Sequence, residues 1–280
     1  MGAAAYGDKK RFLKKIEEIV YVDKEGLFLD KNFFTYSDTR FSGYYNHKLK
    51  NHLNVNLEKN DYYSQDFFDL AASVQAVFEK ILIQLLRNLY KITKKNKLVI
   101  NGGTAMNCLA NGKIVSQTDF QDIYVSFAPG DLGSSIGSVL FNIASRSKKV
   151  FRCDISPYLG PSFTKNEVKN YLRSNKIKFS ESKNYHKIVA RLISQGYVVG
   201  WFFDRMEFGE RALGNRSILA DPRKPETLEK INKTVKFRES FRPLAPAVKE
   251  ECAESIFILE NQKNLYFMDR TVKVKNNWLK

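Results

Sequence analysis

Residues 64–109 constrain the fold most, because their hydrophobic pattern changes from helical to strand-like and back within a short distance. Apolar residues recur at intervals of three and four from Phe67 to Leu89, which predicts one long amphipathic helix. The run Leu98-Val99-Ile100 predicts a short buried strand that leads into Asn101-Gly102-Gly103. A further helix is expected from about Thr104 to Leu109. Helix, strand, glycine turn and helix in this order are typical of an α/β domain that handles nucleotides.

Weaker patterns flank this unit on both sides. The charged, irregular residues 8–60 are interpreted as a partly looped surface insertion. The chain around Ser156–Pro161 is expected to be a linker between two domains. The remaining predicted elements are a strand at 123–125, a closely packed helix at 134–145, helices near 165–174 and 184–194, and a strand at 197–203.

The balance of 46 Lys and Arg against 30 Asp and Glu gives a net charge of +16. Such a charge is compatible with nucleic-acid binding, yet the basic residues are spread in short groups with acids between them. A lysine-rich solvated surface and attraction of anionic small molecules are the alternatives. No stretch of about 18 apolar residues and no signal-peptide pattern occur, so the expected location is the cytoplasm, away from membranes.

The three cysteines, Cys108, Cys153 and Cys252, lie far apart in the sequence and form no C-x-x-C pair. They predict reduced, mostly buried thiols and not a disulfide framework or a four-thiolate zinc site.

The glycine turn is the first candidate site. Gly102 and Gly103 permit backbone conformations that bring N–H groups close to a ligand, and the helix N-terminus behind them favours an anion or a nucleotide. The amide of Asn107 is a candidate ligand contact. The simpler alternative is a structural turn without a ligand.

Asp131 lies in a second turn, Pro129-Gly130-Asp131-Leu132-Gly133. A carboxylate before a helix is suited either to a metal ion or to capping the helix N-terminus. His47, His52 and His186 are not spaced as metal-binding pairs, so the sequence shows no complete metal site.

The third candidate region concentrates cationic side chains among glycine and proline. Arginine binds phosphate and carboxylate oxygens with two parallel hydrogen bonds, whereas lysine supplies a compact charge. Gathered in one pocket, such groups would neutralise a triphosphate and an acyl phosphate. The alternative is structural pairing of Arg216 or Arg238 with Glu207 or Glu239. The cationic residues are Arg211, Arg216, Arg223, Lys236, Arg238 and Arg242.

Four motifs resemble those of the carbamoyltransferase family that modifies nodulation factors and antibiotics. The glycine turn continues as GGTAMNCLAN over residues 102–111, and PGDLG covers residues 129–133. The most specific motifs extend from Glu207 to Arg223 and from Lys236 to Pro246. Met1–Gly7 also matches an N-terminal segment of the family. The resemblance covers roughly residues 64–270.

The resemblance implies an α/β chain, with α+β character in its second domain. Residues 1–150 would be the C-terminal part of an ASKHA-type (actin-like) domain that transfers the carbamoyl group. Residues 156–280 would be a partial YrdC-like domain that forms carbamoyl-adenylate from carbamoyl phosphate and ATP. The product would be a carbamoylated hydroxyl on a sugar, an antibiotic or another metabolite.

The resemblance also implies residue roles. Arg211, Lys236 and Arg242 would be catalytic and hold the carbamoyl and phosphate groups. Asp131 would bind a divalent metal, iron in the transfer domain, while Mg²⁺ would accompany ATP. The residues expected to contact the nucleotide are Gly102, Gly103, Asn107, Arg216 and Ser217.

Departures from the family pattern raise alternatives. Glu210 replaces the usual proline and Asp204 a common glycine, and the first and last sections of the family are expected outside Met1 and Lys280. The chain would then need a partner chain that carries the missing segments. The alternatives are a catalytically incomplete nucleotide-binding fragment and an RNA-associated protein related to tRNA threonylcarbamoylation. The acceptor cannot be read from any motif.

Overall fold

The computed structural model describes residues 1–35, 44–55, 63–148, 156–259, 262 and 265–278, which form a mixed arrangement of helices and two-stranded sheets. Helices α1 to α9 span Leu13–Ile19, His47–Leu53, Gln65–Thr93, Cys108–Gln117, Asp131–Ser147, Lys165–Ser174, Tyr185–Ser194, Glu226–Lys230 and Glu250–Ile256. Strands β1 to β8 span Val20–Val22, Leu27–Leu29, Lys97–Ile100, Asp122–Val125, Val199–Phe202, Arg216–Leu219, Phe257–Ile258 and Lys273–Val274. The expected α/β character is confirmed, while the ASKHA-type and YrdC-like assignments stay predictions.

The long helix expected from the apolar spacing is α3. Ser64 caps its N-terminus by accepting a hydrogen bond from the backbone N–H of Phe67 at 3.2 Å. Lys94 ends the helix in a left-handed conformation with φ of 54°. A left-handed residue directs the chain away from the helix axis, so the strand that follows can return along the helix.

The main core lies where α3 packs against the β3–α4–β4 unit. Strands β3 and β4 are parallel, with Leu98 opposite Ile123, and α4 forms the crossover that a parallel pair requires. Both strand residues are buried, as are the side chains that α3 and α4 direct at them. The buried members of this core are Ile83, Leu86, Leu98, Ile114, Phe120 and Ile123.

The interpretation of residues 8–60 as a surface insertion is wrong for its described part. Phe12, Ile16 and Leu53 are buried together against Val77 of α3 and form a second core. Charged residues on the outward side of α1 make the average composition of the segment resemble that of an exposed loop, although one face of the helix is apolar. Residues 36–43 and 56–60 of this segment lie outside the described residues.

Two predicted helices differ from those observed. The helix expected at 104–109 is a short 3₁₀ turn, Gly103–Met106, followed by α4, because Asn107 caps a new helix instead of continuing the old one. The helix expected at 134–145 exists within α5, but the expectation of close packing is wrong. None of its described residues is buried, and Phe141 is 75% exposed.

The C-terminal half follows its predictions more closely. The two predicted helices are α6 and α7, and a capping box between Thr164 and Glu167 begins α6. The predicted strand at 197–203 contains β5, which pairs antiparallel with β6 and places Trp201 opposite Ser217. The arginine-rich loop therefore leads directly into a paired strand.

Within the described part of the chain, no helix combines the length and the apolar character needed to cross a bilayer. Cys108 and Cys252 are free thiols, each half-buried and therefore less enclosed than expected, and Cys153 lies outside the described residues.

Candidate active site

The glycine turn after β3 is open. Gly102 has φ of 93°, a conformation that glycine adopts without steric cost, and its backbone N–H donates to the carbonyl of Pro129 at 2.8 Å. No described atom lies within 4 Å of the position that a Cβ would occupy at Gly102 or Gly103. The turn leaves room for a ligand, and the expected contact with a nucleotide stays a prediction.

Most hydrogen-bonding groups of the Asn107 side chain are already paired within the protein. Its Oδ1 accepts from the backbone N–H of Ala110 and from Nε2 of Gln75, while its Nδ2 donates to Oε1 of Gln75 at 3.0 Å. One N–H of the Asn107 amide is left for a ligand. The side chain therefore joins the start of α4 to α3 before any nucleotide contact is considered.

Asn111 is a residue whose role the sequence did not reveal. It is 1% exposed, and its Nδ2 donates to the carbonyl of Ala105 at 2.8 Å and to the carbonyl of Asp269 at 2.7 Å. The backbone N–H of Thr271 also donates to the carbonyl of Cys108. These bonds attach the C-terminal segment to the glycine turn. Asn111 stands inside the GGTAMNCLAN motif, but neither its burial nor its partner Asp269 can be read from the sequence.

Asp131 is the first residue of α5 and is exposed. The residue at the cap position is Gly130, and Asp131 makes no capping bond, so the capping alternative is not observed. Among the described residues, no three His, Cys, Asp or Glu side chains lie together as a metal site requires. The assignment of Asp131 to a metal stays a prediction.

The loop of residues 207–216, named here the Glu207 loop, is built around a buried carboxylate. The side chain of Glu207 is 0% exposed and accepts from the backbone N–H groups of Leu213 at 2.6 Å, Asn215 at 2.7 Å and Arg216 at 3.1 Å. Burial raises the pKa of Glu207, but these hydrogen bonds and the charge of Arg216 lower it by more. The carboxylate is therefore held ionised.

Arg216 completes this loop. Its Nη2 donates to the carbonyl of Gly209 at 2.6 Å, and its Nε lies 3.4 Å from Oε2 of Glu207. The structural pairing of Arg216 with Glu207, one of the alternatives above, is observed. A role of Arg216 in nucleotide binding stays a prediction, as does that of Ser217, which follows it in β6.

Arg211 differs from Arg216 because its guanidinium has no hydrogen bond or ion pair to any described residue. Arg211 is half-buried and lines a narrow cavity, with room for about one water molecule, between the Glu207 loop and the turn after β4. The two walls approach closely, since a Cβ at Gly209 would lie 2.7 Å from the carbonyl of Phe127. The cavity is lined by Ala105, Met106, Val125, Ser126, Phe127, Pro129, Glu210, Arg211, Phe267, Met268 and Asp269.

The loop of residues 232–242, named here the Asn232 loop, is built around a neutral amide. Asn232 is 0% exposed, and its Nδ2 donates to the carbonyls of Ser240 at 3.1 Å and Arg242 at 2.8 Å. Its Oδ1 accepts from Nε of Arg238 at 2.7 Å. Asn232 was also missed, because a single asparagine before the lysine-arginine motif carries no pattern of its own.

Two cations of the Asn232 loop, Lys236 and Arg242, are less enclosed than Arg211. Lys236 and Arg242 are exposed, and Nη2 of Arg242 lies 2.9 Å from Oε2 of Glu239. Burial and the neighbouring charge of Arg242 lower the pKa of Arg238. Arg238 contacts Asn232, and Glu239 pairs with Arg242, so the pairing of Arg238 with Glu239 that was stated as an alternative is not observed.

Arg223 is fixed outside the cavity. It forms an ion pair with the buried Asp221 at 2.7 Å, and the hydrogen bonds from Arg223 lower the pKa of Asp221 to about 2. Of the predicted cationic set, Arg211 lines the cavity, while Arg216 and Arg223 hold loops in place. Lys236 and Arg242 do not line this cavity, so the convergence of all these groups on one ligand stays a prediction.

Two models of known protein families match this chain, one in each half. The family model described as the carbamoyltransferase N-terminus matches residues 1–140, and the one described as the carbamoyltransferase C-terminus matches residues 190–280. The second match contains both arginine-bearing loops.

Individual relatives agree with the family match. An uncharacterised protein of Synechocystis is 33% identical over 277 residues, which cover 93% of this chain and 44% of the relative. Nodulation protein NolO of Bradyrhizobium diazoefficiens is 37% identical over 76% of this chain and 40% of its own length. Nodulation protein NolNO of Sinorhizobium fredii is 36% identical over 77% of this chain and 32% of its own.

The chain thus spans less than half the length of these relatives. The N-terminal match alone covers half of the chain, and the relatives align across both halves. The chain belongs to the carbamoyltransferase family.

Proposed function

We propose that this chain takes part in O-carbamoyl transfer. Carbamoyl phosphate would lose its phosphate to water, and an oxygen of the resulting carbamate would attack the α-phosphorus of ATP. Pyrophosphate leaves and carbamoyl-adenylate forms. A hydroxyl oxygen then attacks the carbamoyl carbon, AMP leaves, and the hydroxyl proton passes to solvent. The mixed anhydride with AMP makes the carbamoyl carbon a better electrophile than it is in carbamate.

The observation that carries this proposal is the position of Arg211. Arg211 lines a narrow cavity, its guanidinium has no partner among the described residues, and the buried Glu207 and Arg216 hold its loop in place. A guanidinium carried on a fixed loop and left without a protein partner is able to donate to phosphate or carbonyl oxygens. Such a group is suited to the negative charge that develops during adenylation.

The relatives support the chemical class. Two of them are named nodulation proteins, and the family is named for carbamoyl transfer. We propose a small-molecule hydroxyl acceptor, such as a sugar or an antibiotic. Catalysis in the cytoplasm, without nucleic acid or a membrane, is part of the proposal.

The structure leaves the other predicted site residues free for a ligand to different degrees. Lys236 and Arg242 are exposed and able to reach a phosphorylated ligand. Gly102 and Gly103 border an open turn, whereas Asn107 and Arg216 already make several protein contacts. We therefore assign ATP binding first to the glycine turn, and to Asn107, Arg216 and Ser217 after it.

A divalent metal is the least supported part of the proposal. Iron in the transfer step and Mg²⁺ with ATP follow from the family resemblance, but the described residues offer Asp131 without a cluster of further ligands. The residues described here therefore do not by themselves fit a complete metal site, and no step of the proposed reaction is derived through a metal.

A partner chain is the second element of the proposal. Apolar side chains along α5 are exposed, Val139 by 59% and Phe141 by 75%. Exposed apolar patches in a soluble protein often mark an interface. A polypeptide that supplies the segments present in the longer relatives would cover this helix and complete the site.

The test is release of pyrophosphate from ATP that depends on carbamoyl phosphate. We expect slow release by the chain alone and faster release after co-expression with the segments of a longer relative that lie outside the aligned region. Arg211→Ala should lower the rate on the order of 100-fold, because it removes one charge-assisted contact to the reacting groups. Arg173→Ala is the matched control, since Arg173 is exposed on α6.

Either of two results would contradict the proposal. One is the absence of pyrophosphate release with carbamoyl phosphate under both conditions. The other is an equal effect of Arg211→Ala and Arg173→Ala, which would mean that the lost charge matters and its position does not.

A further inference from the structure

Four side chains from α3 and α4 are linked in a row that ends at the glycine turn. Lys113 forms an ion pair with Oε2 of Glu79, whose side chain is 14% exposed. Oε1 of Glu79 accepts from Nε2 of the buried Gln75 at 2.9 Å. Gln75 and Asn107 then pair through two hydrogen bonds, of 3.1 and 3.0 Å. Because Asn107 directly follows the 3₁₀ turn Gly103–Met106, the row connects α3 to that turn.

The row determines how each amide is oriented. A carboxylate paired with lysine only accepts hydrogen bonds, so Glu79 requires Nε2 of Gln75 to face it. The Oε1 of Gln75 is then directed at Nδ2 of Asn107. On the opposite side, the backbone N–H of Ala110 only donates, so it requires Oδ1 of Asn107 to face it. The two requirements agree and give the Asn107 amide a single orientation.

This orientation decides what Asn107 offers to a ligand. Its Oδ1 already accepts from Ala110 and Gln75, which uses both lone pairs, and one N–H of Nδ2 is used by Gln75. The second N–H has no acceptor among the described residues. The adjoining turn is open at Gly102 and Gly103. A ligand bound here must therefore supply an acceptor atom, such as a phosphate oxygen.

We propose that Gln75 and Glu79 are positioning residues that hold Asn107 as a hydrogen-bond donor to an acceptor atom of ATP. Gln75 is buried and acts through Asn107, and Glu79 acts through Gln75. This inference rests on the proposed function and adds the side chains that orient the nucleotide contact. A side chain held by its own hydrogen bonds keeps its productive geometry, whereas an Asn107 released from Gln75 would offer its donor only part of the time.

The test is calorimetric titration of ATP onto the full chain and its variants. Gln75→Met keeps the length of the side chain and removes both hydrogen bonds to Asn107. We expect the Kd for ATP to rise about 5-fold, as fits the partial loss of one hydrogen bond. Gln84→Met, the same change at an exposed position of α3, is the matched control and should leave the Kd unchanged.

Asn107→Ser separates positioning from structural support. Serine still caps α4 but has no amide, so we expect the Kd for ATP to rise about 10-fold. If Gln75 acts through Asn107, adding Gln75→Met to Asn107→Ser should weaken binding no further. Independent effects would multiply to a rise of about 50-fold, which would show a merely structural role of Gln75 and overturn the inference.

Glu79→Gln is a milder variant that decides the question if Gln75→Met does not fold. It keeps the size of the side chain and removes the charge that orients Gln75, and we expect ATP to bind about 3-fold more weakly. Unchanged ATP binding by Gln75→Met, or by Glu79→Gln in its place, would overturn this inference and leave the proposed function standing. Failure of the unsubstituted chain to bind ATP would also overturn the assignment of ATP binding in the proposed function.

Discussion

The Glu207 loop and the Asn232 loop both present arginine, but they are organised by opposite kinds of buried group. Glu207 is a carboxylate that accepts three backbone N–H groups, whereas Asn232 is an amide that donates to two carbonyls and accepts from Arg238. The first loop depends on a charge and the second does not. Loops of similar composition therefore differ in how they respond to mutation and to pH.

The largest effect is expected from removal of the buried charge. Glu207→Ala leaves three backbone donors unpaired and Arg216 without its carboxylate, so we expect a loss of about 3–5 kcal/mol in the free energy of unfolding. Urea denaturation followed by circular dichroism measures this loss. Glu226→Ala, at an exposed position on α8, is the control and should change stability by less than about 0.5 kcal/mol. A small loss at Glu207 would mean that water replaces its contacts.

A smaller loss is expected in the second loop. Asn232→Ala removes three side-chain hydrogen bonds, and two of the orphaned partners are carbonyls near the surface, so we expect about 2–3 kcal/mol. The same denaturation experiment applies, with Lys233→Ala as the exposed neighbour control. A loss at Asn232 that exceeds the loss at Glu207 would reverse the ranking of the two loops.

The pH dependence separates the two loops most directly, although its effect is the smallest. The pKa of Glu207 in the folded chain lies below its ordinary value of 4.5, so its contribution to stability is fully present above that pH. The contribution is lost as the pH falls through the lower, folded-state value. We expect Glu207→Gln to reduce the loss of stability in acid, and Asn232→Ala to leave that loss unchanged.

Denaturation midpoints measured from neutral pH down to about pH 3 test this expectation. Asp221, whose pKa is about 2 in the folded chain, contributes a background that all the variants share. Parallel acid profiles for the unsubstituted chain and Glu207→Gln would contradict the charge-based account of the first loop.

Features of the fold that depend on neighbouring residues were predicted from the sequence, whereas features that depend on distant residues were not. The patterns that predicted α3 and α6 lie within single segments of the chain, and both helices are observed. The packing of α5 was not predicted correctly, because the sequence of a small apolar helix is the same whether or not another element covers it. Likewise, the burial of Phe12 depends on α3, which is distant in the sequence.

The residues of the candidate site also fall into those identified from the sequence and those that only the structure revealed. Arg211 was identified from its motif, and the structure gives it a cavity. The structural pairing of Arg216 with Glu207 was stated as an alternative and is observed. Asn111 and Asn232 were missed because a buried amide has no spacing signal, and the partner of Asn111 is Asp269, 158 residues away.

The sequence by itself determined the helix α3, the glycine turn, the arginine-bearing motifs and, through those motifs, the family. These features depend on residue type and near-neighbour spacing, which the chain carries without folding. The tertiary structure alone decided which cations remain free, because a guanidinium is free or paired according to the carboxylates and carbonyls that folding brings to it. It also brought Asp269 and Arg211 to the lining of one narrow cavity, since distant segments meet there through packing and not through any local pattern.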